Sequence, residues 1–229
     1  MGIWRQPIIH PMITEPLGES RRHTRLKDVV SRRQSGLVVV LENISDPHNA
    51  GAVLRTCDAF GIQTIHFVFE TQPGFNPKKK TQSTSTSVAK WLTLTTHTST
   101  QKALSELKQG GYTIAVTAIE GSTNVYDASL GSCPKVALVL GNEHDGVSAT
   151  ALQMADCTLS IPMRGMVQSL NLSVTTALMV AELTRQRQQS GIAFALSPTE
   201  QAALLQTFKT IDTPVNTVPD RPYLGVFND

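Results

Sequence analysis

Three cysteines, Cys57, Cys133 and Cys157, are too few and too widely spaced for a disulfide framework in a chain of 229 residues. They form no Cys-x-x-Cys pair, which argues against a zinc site and suits a reducing compartment. Charge is scarce too. Asp, Glu, Lys and Arg make up 17% of the residues and leave a net +2, which excludes a chain held open by self-repulsion. No apolar run approaches membrane-spanning length. Pro7, Pro11 and Pro16 interrupt the apolar residues near Met1, so a secretory leader is not expected. Gln6 stands where myristoylation of Gly2 wants Ser or Thr. These absences together predict a cytoplasmic protein.

The common catalytic signatures are missing as well. After the first apolar strand the chain reads Glu42-Asn43-Ile44-Ser45-Asp46-Pro47, where a dinucleotide fold would carry Gly-x-Gly-x-x-Gly. A phosphate-binding Gly-x-x-x-x-Gly-Lys-Ser/Thr loop is absent, and so is the Gly-x-Ser-x-Gly elbow of serine hydrolases. The six histidines do not fall at metal-ligand spacing, and no metal is expected.

What is present is an α/β pattern. A hydrophobic fraction of 40% over this length suffices for one core with material left for extensions. Leu37–Leu41 and Lys135–Leu140 are continuous apolar runs, the pattern of strands covered on both faces. Further strands are predicted at Thr64–Phe69, Tyr112–Thr117 and Thr158–Ile161, with a shorter one at Trp91–Thr95. Helices are predicted from about Glu19 to Gln34, stopped by Gly36, then after Asn49 as far as Gly61. Others follow at Ser99–Gln109, after Ser148, at Leu172–Gln188, and behind a Ser197/Glu200 capping box. Alternating apolar strands and helices imply a mostly parallel sheet. In such sheets ligands bind beyond the carboxyl ends of the strands. Three polar loops qualify: Glu42–Asn49, Gly141–Gly146 and Met163–Asn171.

The third loop crowds Ser169, Asn171 and Ser173 ahead of a long apolar helix, and a helix cap accounts for only one of them. Arg55 lies on an otherwise apolar helix. Its guanidinium either pairs with Asp58 or Glu42 or grips an anion, because burying it unpaired is costly. Residues 1–36 hold seven basic against three acidic side chains. That excess is either a solvated helix face or an arm for a polyanion such as nucleic acid. Thr71–Ser87, with Lys78-Lys79-Lys80, is a long polar loop, of a length that is either functional or mobile in a compact domain.

Three strings resemble the motifs of the SPOUT RNA 2′-O-ribose methyltransferases. They are Asn43…Pro47-His48-Asn49-Ala50-Gly51…Leu54-Arg55-Thr56, Leu140-Gly141-Asn142-Glu143…Gly146, and Ile161-Pro162-Met163…Gly165…Ser169-Leu170-Asn171. Each is weak alone; in this order, across residues 37–190, they are specific. Within the superfamily the chain looks most similar to the TrmH group, which methylates the ribose of tRNA guanosine 18. The resemblance implies a Rossmann-like sheet with a C-terminal deep trefoil knot, flanked by helical extensions at 1–36 and 191–229. It also implies S-adenosylmethionine as cofactor and a homodimer with its site at the subunit interface. Position by position, Thr117, Gly141, Ile161 and Leu170 would hold the cofactor. Asn49, Glu143, Ser169 and Asn171 would shape the site around Arg55, the catalytic residue. Arg22, Arg25, Arg33 and Arg185 would meet tRNA, with Lys78–Lys80 as lesser candidates. Ribosomal RNA as substrate, or RNA binding without catalysis, are the competing readings. The sequence departs from the family at Gly51, Asn142-Glu143-His144 and Arg164.

Overall fold

The computed structural model describes residues 21–81, 88–119 and 122–211. The proline-punctuated leader, the first residues of the predicted N-terminal helix, part of the Thr71–Ser87 loop and the tail from Thr213 lie outside them. In chain order the elements are α1 (Arg21–Ser31), β1 (Gln34–Glu42), α2 (Pro47–Ala59), β2 (Ile62–Val68) and a one-turn α3 (Pro77–Lys80). A 3₁₀ turn at Val88–Trp91 leads into β3 (Thr93–His97), α4 (Thr100–Gln109), β4 (Thr113–Thr117) and the short β5 (Thr123–Asn124). The chain continues with β6 (Val136–Leu140), α5 (Ala149–Met154), β7 (Cys157–Ser160), α6 (Leu172–Gln189) and α7 (Pro198–Ile211).

The seven strands form one sheet in the order β3-β2-β1-β6-β4-β7-β5, and every pairing is parallel. β1 explains why its residues are so uniformly apolar. Leu37, Val39 and Leu41 pack on one face with Val53, Leu54 and Cys57 of α2 and Met179, Val180 and Leu183 of α6. Val38 and Val40 pack on the other face with Ala103, Leu104 and Leu107 of α4. Both faces are therefore dry, as a sheet sandwiched between helices requires.

Local chemistry sets the helix starts. Asp46, Ser99, Ser148 and Asn171 are N-caps whose side chains accept backbone N–H groups of the first turn. The predicted capping box is formed: Ser197 N donates to Glu200 Oε2 at 2.8 Å, and Glu200 N donates to Ser197 Oγ at 3.3 Å. Gly36 has a different role from the one expected of it. α1 ends at Ser31, and Gly36 lies inside β1 at φ +72°, where the register with β2 shifts. A Cβ there would sit 2.2 Å from the Pro134 carbonyl oxygen.

Arg33 also departs from expectation. Expected on an RNA-facing surface, it is 2% exposed, its guanidinium donating to Asp58 Oδ1 at 2.6 Å beneath the Phe208 ring. The helix stops two residues earlier, so Arg33 points into the seam where α7 covers α1. Among the described residues no helix is long and apolar enough to cross a membrane.

Glu42, at the carboxyl end of β1, is 1% exposed. Its carboxylate accepts from the Thr100 hydroxyl at 2.5 Å and from Ser148 N and Oγ at 2.8 and 2.7 Å. It therefore lies between the amino ends of α4 and α5, where aligned N–H groups stabilise negative charge. Glu42→Ala strands two hydroxyls and an N–H, and is expected to lower the unfolding free energy in urea by about 2–3 kcal/mol. An unchanged midpoint would mean that water replaces the carboxylate.

His66 and His97 share a hydrogen bond of 2.9 Å between Nδ1 and Nε2 on neighbouring strands. Burial, then the His97 ring, lowers His66 from 6.5 to about 4, while Glu106 of α4 pulls the other way. Burial lowers His97 as well, against Glu106 and with help from Lys102. The unfolded chain thus binds this proton more readily, so the pair contributes full stability above pH 6.5 and loses it as pH falls towards 4. An NMR titration is expected to find the His66 imidazole still neutral at about pH 5, where an exposed histidine is charged.

Candidate active site

The carboxyl ends of β4, β6 and β7 open into a cavity of about 760 Å³, within the size range of small-molecule sites. Its walls include Thr117 at the end of β4, Leu140 and Gly141 at the end of β6, Ile161 after β7, and Ser169 and Leu170 before α6. All four residues expected to hold a cofactor, Thr117, Gly141, Ile161 and Leu170, are in the wall. Met179 of α6 also lines it, buried at 1%, although nothing in its helical spacing separates it from ordinary core.

Gly141 is glycine for a steric reason. A Cβ on it would lie 2.0 Å from the Gly146 carbonyl, closer than any real contact. The loop folds back on itself, with Asn142 N donating to Gly146 O at 3.0 Å and Gly146 N to Asn142 O at 3.2 Å. Asn142 Oδ1 accepts from His144 N at 2.8 Å and from Asp145 N at 2.6 Å, an Asx turn that closes the loop from inside. Sequence reasoning did not assign Asn142 this part; the signal was an Asn four residues before a glycine. Ser148, where the loop ends, is the residue held by Glu42. The cavity's second wall is thus braced to β1.

Three distant segments meet at the mouth. Asn49 Nδ2 donates to Glu143 Oε1 at 2.5 Å, and Asn171 Nδ2 donates to Asn49 Oδ1 at 3.1 Å. Asn171 Oδ1 meanwhile accepts from Ser173 N at 2.8 Å and Ser173 Oγ at 2.6 Å. Asn171 is therefore both helix cap and member of a polar chain Asn171–Asn49–Glu143. Asn49 belongs to the first turn of α2, since the helix begins at Pro47 within the segment read as loop.

Arg55 is two turns further along α2 and exposed. Neither acid offered as its partner is available. Asp58 takes Arg33, and Glu42 takes Thr100 and Ser148. Arg55 is not in the cavity wall of its own chain, and among the described residues no ion pair engages it. Of the expected RNA contacts, Arg22 and Arg25 are exposed on α1. Arg185 keeps 51% of its side chain in solvent while its guanidinium clasps Glu182 at 2.6 and 2.8 Å. Among the described residues no group of three or more His, Cys, Asp or Glu could hold a metal ion.

Similarity to known proteins follows this geometry. The SpoU rRNA Methylase family matches residues 36–181, which hold all three polar loops. A tRNA (guanosine(18)-2′-O)-methyltransferase of Thermus thermophilus is 40% identical over 176 residues, covering 76% of this chain and 87% of that protein. The crystal structure of the A. aeolicus TrmH/SpoU tRNA modifying enzyme superposes with a TM-score of 0.73 at 31% identity, over 84% of this chain and 97% of that one. The SpoU methyltransferase AviRb from Streptomyces viridochromogenes, solved in complex with AdoMet, gives 0.61 at 25% identity over 71% and 64%. With a family match across more than half of its length and a relative at 40% identity, the chain belongs to the SpoU rRNA methylase family.

Proposed function

We propose that this protein transfers a methyl group from S-adenosylmethionine to a ribose 2′-hydroxyl of tRNA, at the guanosine at position 18, as a cytoplasmic homodimer. The observation that carries the reading is the Asn171–Asn49–Glu143 chain at the mouth of the cavity. It joins the three segments whose residues match the family's motifs. The guanosine is inferred from the name of the Thermus thermophilus relative.

Thr117, Gly141, Ile161 and Leu170 hold the cofactor, largely through backbone groups of the braced loops. Bound there, it supplies an electrophilic methyl group. Glu143, Asn49, Ser169 and Asn171 fix the polar mouth against which the target ribose rests. Arg55 has five donors in a planar fork, suited to a phosphate of the substrate backbone. A guanidinium offers donors and no acceptor, so its part is to orient the phosphate and the hydroxyl rather than to remove a proton. Held in this way, the 2′-oxygen gains by proximity what it lacks as a nucleophile, and the proton it gives up on taking the methyl passes to water at the open mouth.

Arg55 acts in this reading on the cavity of the partner subunit. In support, it is exposed and absent from its own cavity wall. Apolar side chains are also left in solvent on the same helical layer and rim: Val174 at 46%, Leu178 at 37%, Val167 at 59% and Met166 at 100%. Residues 37–190 form the catalytic unit, flanked by extensions at 1–36 and 191–229; Arg22 and Arg25 of the first extension and Arg185 of α6 meet phosphates. The passage from β7 to α6 is threaded as the family's deep trefoil knot. Family membership supports that.

Arg55→Ala is expected to slow methyl transfer to unmodified tRNA by about 10²–10³-fold, the scale for losing one positioned charge donor. Cofactor affinity measured by calorimetry is expected to stay as in the wild type. Gly141→Ala, whose Cβ would force the loop backbone to shift, is expected to abolish cofactor binding and to lower the thermal unfolding midpoint while leaving the chain folded by circular dichroism. Mixing the two inactive variants is expected to restore about a quarter of wild-type turnover, because random exchange makes half the dimers mixed, each with one intact shared site. No recovery would place Arg55 in its own subunit's site. Mass spectrometry of the product, with ribosomal RNA assayed alongside, decides the substrate; a methyl group on a base would overturn the reading.

A further inference from the structure

Between Glu70 and Glu106 the chain contains no acidic residue, yet it carries Lys78, Lys79, Lys80, Lys90 and Lys102. Three of these lysines are consecutive and form most of α3, all exposed. Crowding ammonium groups on one turn is unfavourable unless an anion relieves it. Among the described residues no carboxylate forms an ion pair with any of the three.

The turn is held in place from several sides. Asn43 Oδ1 accepts from Glu70 N at 2.8 Å and Thr71 N at 2.9 Å, which fixes where the segment leaves β2. The Phe75 ring packs edge-on against Phe69 at 5.0 Å and Phe67 at 6.3 Å. Asn76 caps the turn, Pro77 is buried at its first position, and Thr81, 0% exposed, donates its hydroxyl to the Pro77 carbonyl at 2.6 Å. Buried residues on both sides thus present three cations outward on a rigid mount. α3 packs against α2, the helix that bears Asn49 and Arg55. A solvated surface needs neither the mount nor the exclusion of acids from the surrounding stretch. A run of phosphates at fixed spacing is served by both.

We propose that Lys78, Lys79 and Lys80 form a fixed docking point for the phosphate backbone of the bound RNA, on the flank of the helix that presents Arg55. The inference rests on tRNA being the substrate. The three lysines add affinity without reading sequence, because ammonium–phosphate contacts release counterions whichever base is attached.

The test compares wild type with K78A/K79A/K80A and K78R/K79R/K80R by equilibrium binding of unmodified tRNA across a salt series, with methyl transfer measured in parallel. The alanine variant is expected to bind about tenfold or more weakly near physiological salt, with a log–log salt slope shallower by about 2 to 3, one unit or slightly less per lost phosphate contact. The arginine variant is expected to keep the wild-type slope, and all three proteins the same cofactor affinity and thermal midpoint. Equal tRNA affinity and slope in the alanine variant would overturn the inference. Because the comparison is made on binding, wild-type protein that binds tRNA without methylating it would refute the proposed reaction alone.

Discussion

Asn49 hydrogen-bonds to residues 94 and 122 positions away in the chain, and on those two contacts the site depends. Its carbonyl oxygen and its amide nitrogen are used in opposite directions, one towards Asn171 and one towards Glu143. Neither an aspartate nor a leucine of equal size serves both neighbours, since the first offers no donor and the second offers nothing. Apart from the hold of Glu42 on Ser148, the three loops are independent excursions from the ends of different strands. A single amide makes them one surface, at a place where the backbone has already been stiffened by an Asx turn on one side and a helix cap on the other.

Much of the architecture could be read from residue pattern alone. Leu37–Leu41 and Lys135–Leu140 had to be strands hidden on both faces, and they lie side by side at the centre of the sheet. Pattern also marked the three polar loops at strand ends, where ligands gather, while the individual cofactor positions came only from the resemblance to the SPOUT motifs. Less legible were features that arise only from packing between remote segments. Arg33 belongs to a run of arginines that looks uniformly solvent-facing, yet a chain turn two residues after the helix puts it under Phe208. Glu42 reads as the first residue of a polar loop, and only the fold reveals two helix ends converging on it. β5, at two residues, is too short to leave any periodicity.

Arg55 and Glu42 show how burial sorts charges of similar appearance. Glu42 is enclosed and engaged with hydroxyl and N–H donors, and so braces the end of the Gly141–Gly146 loop to β1. Arg55 is displayed on a helix whose other side is core, and the acids that could have neutralised it are already taken. The first organises the site from within. The second is left exposed outside its own cavity wall, and under the proposed function that placement ties catalysis to association between chains.

The strand order bears on how such a chain is made. β3, β2 and β1 form one parallel group, and β4, β7 and β5 another; β6 is the strand that hydrogen-bonds to both. It is encoded after about three-fifths of the chain, and β7 later still, so a growing polypeptide holds the β1–β3 group with an open margin on β1, and β4 without a neighbour, before the strand that joins them exists. Non-local parallel pairing of that kind is slow to close. Until β6 is made, the inner margin of β1 has no strand beside it, and that exposure is the cost of encoding a central strand late in the chain.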